Sequence, residues 1–222
     1  MTEWPLRWLM LPMLLAMATW ACALDAPPVR IESRSAINDL LPQSAATVTH
    51  VLALSVANID AWPDAEMIGA VRHSAQILAQ CGIGIVRADL LQVATPESHR
   101  HFDTPRSREL ARALALPKPT LYFAAGTRQI PAFDAEAIGR GNSGSRPELA
   151  DTVWIARGAR DLGIVIAHEL AHVLMDSGAH DNTPGNLMAE TTTPRNTQLT
   201  GTQCARIRGT GERNGLLQRR VN

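Results

Sequence analysis

The sequence predicts a mixed α/β domain. Strand-like and helix-like segments alternate through its middle, a helix with an almost wholly apolar circumference follows them, and its 222 residues suit one substantial core better than two. Lysine plus arginine equals aspartate plus glutamate at 21 each. No global field therefore draws the chain to nucleic acid or an anionic membrane. The hydrophobic fraction of 45% is that of an ordinary globular protein, with no repeat or low-complexity tract.

The first segment is an export signal by its layout. The uncharged run WLMLPMLLAMATWACAL follows Arg7 and contains the small-x-small triplet Ala21, Cys22, Ala23, so residues 1–23 read as a signal peptide cleaved after Ala23. An uncleaved anchor is the alternative, since the run is only slightly shorter than a bilayer span of about 20 residues. Lipidation at Cys22 is weaker, because bulky Trp20 stands where such signals carry a small residue. The expected location is secreted or periplasmic, with no stable membrane association after cleavage. Residues 24–46 mix Pro27, Pro28 and Pro42 with serines and show no sustained period, which reads as a linker or N-terminal arm. The domain is expected over 47–222.

Within it, TVTHVLALSV is β-branched and aliphatic and reads as a strand. Pro63 suits a helix start, and Met67, Val71, Ser74, Leu78 and Cys81 recur at three- and four-residue steps until Gly82 stops them. IGIVRADLLQV reads as a second strand, SRELARAL as a short helix and TLYFAAG as a third strand. AEAIGRGNSGSRPELADTVWIA supplies two more strands around a loop with Gly139, Gly141 and Gly144. That loop lacks a following GKS or GKT and a GxGxxG context, so phosphate binding is a weak reading. LTGTQCARIR is expected to form a last helix, and the polar GTGERNGLLQRRVN a frayed tail.

After signal cleavage two cysteines remain, Cys81 and Cys204, and in an oxidising compartment one disulfide is expected. Two buried thiols are the alternative. Neither residue belongs to a CxxC pair, so metal ligation by them is disfavoured.

The segment IAHELAHVLMDSGAHDNTPGNLMA holds three of the seven histidines. Its first part should be helical, with Asp161 a candidate N-cap and aliphatic residues around most of its circumference, hence central and buried. His168 and His172 stand four positions apart on one face, about one turn or 5–6 Å along the axis, where two imidazoles can converge on one ion. Glu169 completes the pattern HExxH and can reach a water without itself being a ligand. A tetrahedral site with one open position needs a third protein ligand. Asp176 would lie about 12 Å along a straight helix from His168, too far to share the ion. Gly178, with positive φ, would end the helix and bring His180 back to the site, with Asp181 as the runner-up. Met188 follows the turn residues Pro184 and Gly185.

HExxH, a downstream histidine and the methionine of NLM together resemble the metzincin branch of the zincin metallopeptidases. The usual stretch there is HExxHxxGxxH, whereas this chain carries Met175 in place of the glycine and reaches His180 two residues later. The resemblance implies a mixed twisted sheet packed on a central HExxH helix and a C-terminal subdomain with a methionine turn beneath the metal. It implies Zn2+ held by His168, His172 and His180, with Glu169 as general base in peptide hydrolysis. It also implies an extended peptide substrate paired with an edge strand, for which either flank of the Gly139–Gly144 loop is a candidate. The expected partner is a peptide or protein, and the chain is expected to act as a monomer. Two alternatives accompany this reading: a zinc-stabilised binding module without activity, and a zinc amidase acting on cell-wall peptides. Tyr122 is a candidate oxyanion donor with no position inferable from sequence. His50, His73, His99 and His101 read as surface or internally satisfied residues.

Overall fold

The computed structural model describes residues 29–38, 40–41 and 48–220. The proposed signal peptide lies outside them. In chain order the elements are β1 (Arg30–Ile37), β2 (His50–Asn58), α1 (Asp64–Leu78), β3 (Ile83–Ala94), β4 (His101–Phe102), α2 (Thr104–Leu114), β5 (Thr120–Phe123), β6 (Gly126–Thr127), β7 (Ala135–Ile138), β8 (Thr152–Ile155), α3 (Leu162–Met175), α4 (Gly201–Arg213) and β9 (Gln218–Arg219).

The main sheet runs β1-β3-β2-β5-β8-β7, with β9 added to β2. β3, β2, β5 and β8 are mutually parallel, whereas β1, β7 and β9 pair antiparallel with β3, β8 and β2. The expected mixed α/β architecture is present. Alternation along the strands feeds a separate core on each face of the sheet. Leu121, Phe123, Val153 and Ile155 join the cluster under α1, α3 and α4, while Tyr122 and Trp154 face the cluster that includes Leu110 and Ala111 of α2.

The periodic residues of α1, from Met67 to Leu78, are buried, and Cys81 follows in a short 3-10 turn stopped by Gly82 at φ +71°. Cys81 is disulfide-bonded to Cys204 of α4, with Cα atoms 4.8 Å apart. α3 is buried nearly all round and packs on α1, α4, β7 and β8. Its contact with α1 is close: a Cβ on Gly163 would come within 2.5 Å of the His73 Cβ. Gly163→Ala is therefore expected to destabilise the domain by about 1–3 kcal/mol, through overpacking at an atom fixed to the α1 backbone. A urea midpoint unchanged from wild type would contradict that contact.

Two expectations are corrected. Residues 30–37, inside the stretch read as a linker or arm, form the edge strand β1. Its side chains are exposed almost throughout, so no apolar alternation marked it, and what holds it is the backbone ladder to β3. The C-terminal stretch is not a frayed tail either. α4 continues to Arg213, Leu216 and Leu217 are buried, their N–H groups donate to the Gly211 carbonyl, and β9 pairs with the start of β2.

Candidate metal centre

Asp161 stands at the N-cap of α3, with its backbone at φ +53° and its carbonyl accepting from the Ile164 and Val165 N–H groups. Its side chain does not cap. From there the helix carries His168 and His172 to one face, with ring centroids 4.5 Å apart and their Nε2 atoms 2.9 Å apart. The helix stops at Asp176, whose φ is +46°, and not at Gly178, whose φ is not positive. The expectation that a glycine is needed at this turn is thereby corrected: a short polar side chain tolerates the left-handed conformation. Gly178 lines the cleft instead.

The chain beyond the turn returns His180 to the helix, with its Nε2 3.3 Å from the Nε2 of His172. The ligand-capable nitrogens of His168, His172 and His180 all lie within 4.8 Å of one another. The protonation of the two helical imidazoles follows from their partners. His168 Nδ1 is 2.7 Å from the Leu187 carbonyl oxygen and His172 Nδ1 is 2.6 Å from that of Ser177. A carbonyl only accepts, so in each ring Nδ1 carries the hydrogen and Nε2 presents a lone pair to the cluster. Burial pushes the His168 pKa down and takes that of His172 to about 4, keeping both rings neutral at pH 7.

Asp181 does not join the cluster, because its carboxylate is engaged in shaping the turn. Its Oδ1 accepts from the Thr183 N–H and hydroxyl at 3.1 and 2.7 Å, and its Oδ2 from the Asn186 and Gln203 amides at 3.2 and 3.3 Å. Asn186 in turn accepts from the Met188 N–H at 2.8 Å, and the Met188 carbonyl accepts from the Asp181 N–H at 2.8 Å. Met188 is buried in the core cluster that α3 joins, immediately after the residue whose carbonyl orients His168. Gln203 also closes a capping box with Thr200 at the start of α4. The spacing TxxQ carried that signal in the sequence. The bonds of Asn186 and Gln203 to Asp181 had none, since they span 5 and 22 residues.

A cleft of about 360 Å³ opens over the histidines, lined also by Glu169, by Ala135–Ala137 of β7 and by the glycine loop that follows. Burial, with the nearby charge of Glu136, raises the Glu169 pKa to about 8, the nearby Ala137 backbone opposing the rise. Burial raises Glu136 as well, against the opposing charge of Arg146. Tyr122 is not at this site. It stacks on Trp154, with ring centroids 4.1 Å apart, in the core on the other face of the sheet.

No family model matches the sequence, and no curated protein matches it. Among solved structures, the chain is similar to archaemetzincin from Methanopyrus kandleri at 9% sequence identity, covering 77% of this chain and 98% of that one, with a TM-score of 0.49.

Proposed function

We propose that this chain is an exported zinc-dependent metallopeptidase, with Zn2+ held by His168, His172 and His180 and Glu169 as general base. One observation carries the reading. Two buried imidazoles, each with Nδ1–H committed to a carbonyl, direct bare Nε2 lone pairs at one point that a third histidine also faces. Lone pairs in that arrangement repel one another and leave buried nitrogens without donors, an arrangement that a cation relieves. An all-nitrogen set of three suits zinc with an open position, and the carbonyls behind His168 and His172 are the outer partners such ligands ordinarily have. Asp181 has no such part, its carboxylate being occupied within the turn.

When bound, Zn2+ supplies a Lewis acid that activates water and polarises a carbonyl. Glu169, one residue from His168 and at the wall of the same cleft, accepts the water's proton and returns it to the leaving amine. β7 ends the sheet order beside the cleft, and its outer edge offers backbone groups to an extended peptide. Met188 serves as an apolar support under the histidines. The carboxylates of Glu136 and Glu190 line the cleft with no lysine or arginine among the lining residues, which favours neutral or basic peptides over acidic ones. Export is supported by the apolar segment at residues 8–24 and by the Cys81–Cys204 disulfide. No helix among the described residues is long and apolar enough to cross a membrane.

Zinc stoichiometry on purified protein tests the site. Wild type is expected to hold one zinc per chain. His180→Ala should weaken binding by more than the roughly 10- to 100-fold that loss of an outer partner costs, and Asp181→Ala should stay within that range. Wild type that binds no zinc after resupply removes the basis of the proposal, and loss on Asp181→Ala alone would reassign the third ligand.

A further inference from the structure

Asp176 sits one residue past α3, too far along the axis to share an ion with His168, and its contacts give it another task. Its backbone at φ +46° closes the helix, and the next residue, Ser177, donates its N–H to the His172 carbonyl at 3.1 Å. The Ser177 carbonyl then accepts the His172 Nδ1–H. The Asp176 carboxylate points to the other side of the cleft, where Oδ1 accepts the Gly141 N–H at 2.8 Å. The loop lies close against this oxygen: Cβ atoms added at Gly139 and Gly141 would stand 3.1 and 3.4 Å from it. Arg140, between the two glycines, reaches away to the Asp151 carboxylate at 2.9 Å and the Asn214 carbonyl at 3.0 Å. The loop is thus held from both sides, and it is the direct continuation of β7, whose Ala135–Ala137 line the same cleft as Glu169.

From these contacts we infer that Asp176 is a positioning residue that clamps the β7 wall of the cleft to the end of α3, fixing the spacing between Glu169 and His172 on one side and β7 on the other. The catalytic consequence rests on the peptidase reading; the clamp itself does not. A backbone N–H bonded to a carboxylate is a charge-assisted contact, stronger than a neutral one. Glycine at 139 and 141 is what lets the loop backbone approach so closely.

The test separates the conformational part of Asp176 from its carboxylate. Asp176→Gly keeps the left-handed helix end at no steric cost and removes the clamp, whereas Asp176→Asn keeps both an amide oxygen and tolerance of positive φ. Amide hydrogen exchange is followed by NMR on full-length mature protein, with and without Zn2+. In Asp176→Gly, Gly141 and Ala137 should exchange at least about tenfold faster while Leu170 and Ala171 within α3 hold their wild-type rates, and Asp176→Asn should restore most of the protection. On a cleavable peptide the glycine variant should lose about 10- to 100-fold in kcat with a smaller change in KM, recovered largely by asparagine. Unchanged Gly141 exchange in Asp176→Gly would show that there is no clamp. Faster Gly141 exchange with Ala137 unaffected would show that it does not reach the wall strand, and either result overturns the inference. Wild type that cleaves no peptide at all would count against the peptidase reading, and the amide rates would still decide the clamp.

Discussion

Glu169→Gln is expected to keep one zinc per chain and the wild-type fold while reducing peptide hydrolysis about 10²- to 10⁴-fold, the range over which a positioned general base acts. The substitution is close to isosteric with the protonated acid, and in the metal-free protein the protonated form prevails at pH 7, because burial and the Glu136 charge raise the pKa to about 8. Zn2+ held by the three histidines would act in the opposite sense, favouring the carboxylate of the neighbouring Glu169. Stability should report this difference. An unfolded chain releases the Glu169 proton near pH 4.3, whereas the metal-free fold retains it until about pH 8. Between those values the unfolded state binds fewer protons, so the Glu169 contribution to stability falls as pH rises and levels off above pH 8. Glutamine has no such term. The metal-free variant should therefore match metal-free wild type at pH 4 and exceed it at pH 9, and zinc should shrink the gap by lowering the Glu169 pKa. Urea melts at the two pH values, with chelator and with zinc, read this directly. Full turnover in Glu169→Gln would sink the general-base role, and no difference between the metal-free proteins at pH 9 would sink the burial argument.

What the sequence made legible divides along the range of the interactions. The HExxH helix was readable because its information is local: a four-residue spacing puts two imidazoles on one face, and aliphatic residues on the remaining faces require burial. The same holds for α1, where three- and four-residue steps led to Cys81 and Gly82. The end of α3 was readable only in outline. A turn had to follow for His180 to come back, yet Asp176 makes it and not Gly178, a short polar side chain tolerating the positive φ, and its carboxylate bonds to Gly141, 35 residues earlier. Asp181 is the runner-up third ligand by spacing alone, and its engagement by Thr183, Asn186 and Gln203 depends on groups up to 22 residues away. β1 leaves no mark in the sequence because edge pairing needs only backbone groups, which every sequence has. The C-terminal strand has no apolar signal, because Gln218 and Arg219 are both polar and the buried Leu216 and Leu217 before them are too few to show a period.

Removing the disulfide with Cys81→Ala and Cys204→Ala should lower stability by about 2–5 kcal/mol and leave the cleft unchanged. The two cysteines are 123 residues apart in sequence, and closing a loop of that length restricts the unfolded chain far more than it strengthens the folded one. The folded junction has other ties. Gln80 donates to the Thr197 carbonyl and accepts from the Leu199 N–H, each at 2.8 Å, and Arg208 donates to the Cys81 carbonyl at 2.8 Å. These hold the start of α4 against the end of α1 without the bridge, and α4 supplies Gln203 to the turn that carries Met188. Zinc affinity and the exchange rate of the Gly141 amide should therefore be those of wild type, while the melting temperature drops by roughly 5–20 °C for a domain of this size. Reduction of wild type with dithiothreitol should reproduce the drop, and the double variant should be insensitive to it. Weakened zinc binding in a variant that remains folded would mean that the bridge shapes the native site, and would move its contribution from the unfolded chain to the turn that carries Leu187 and Met188.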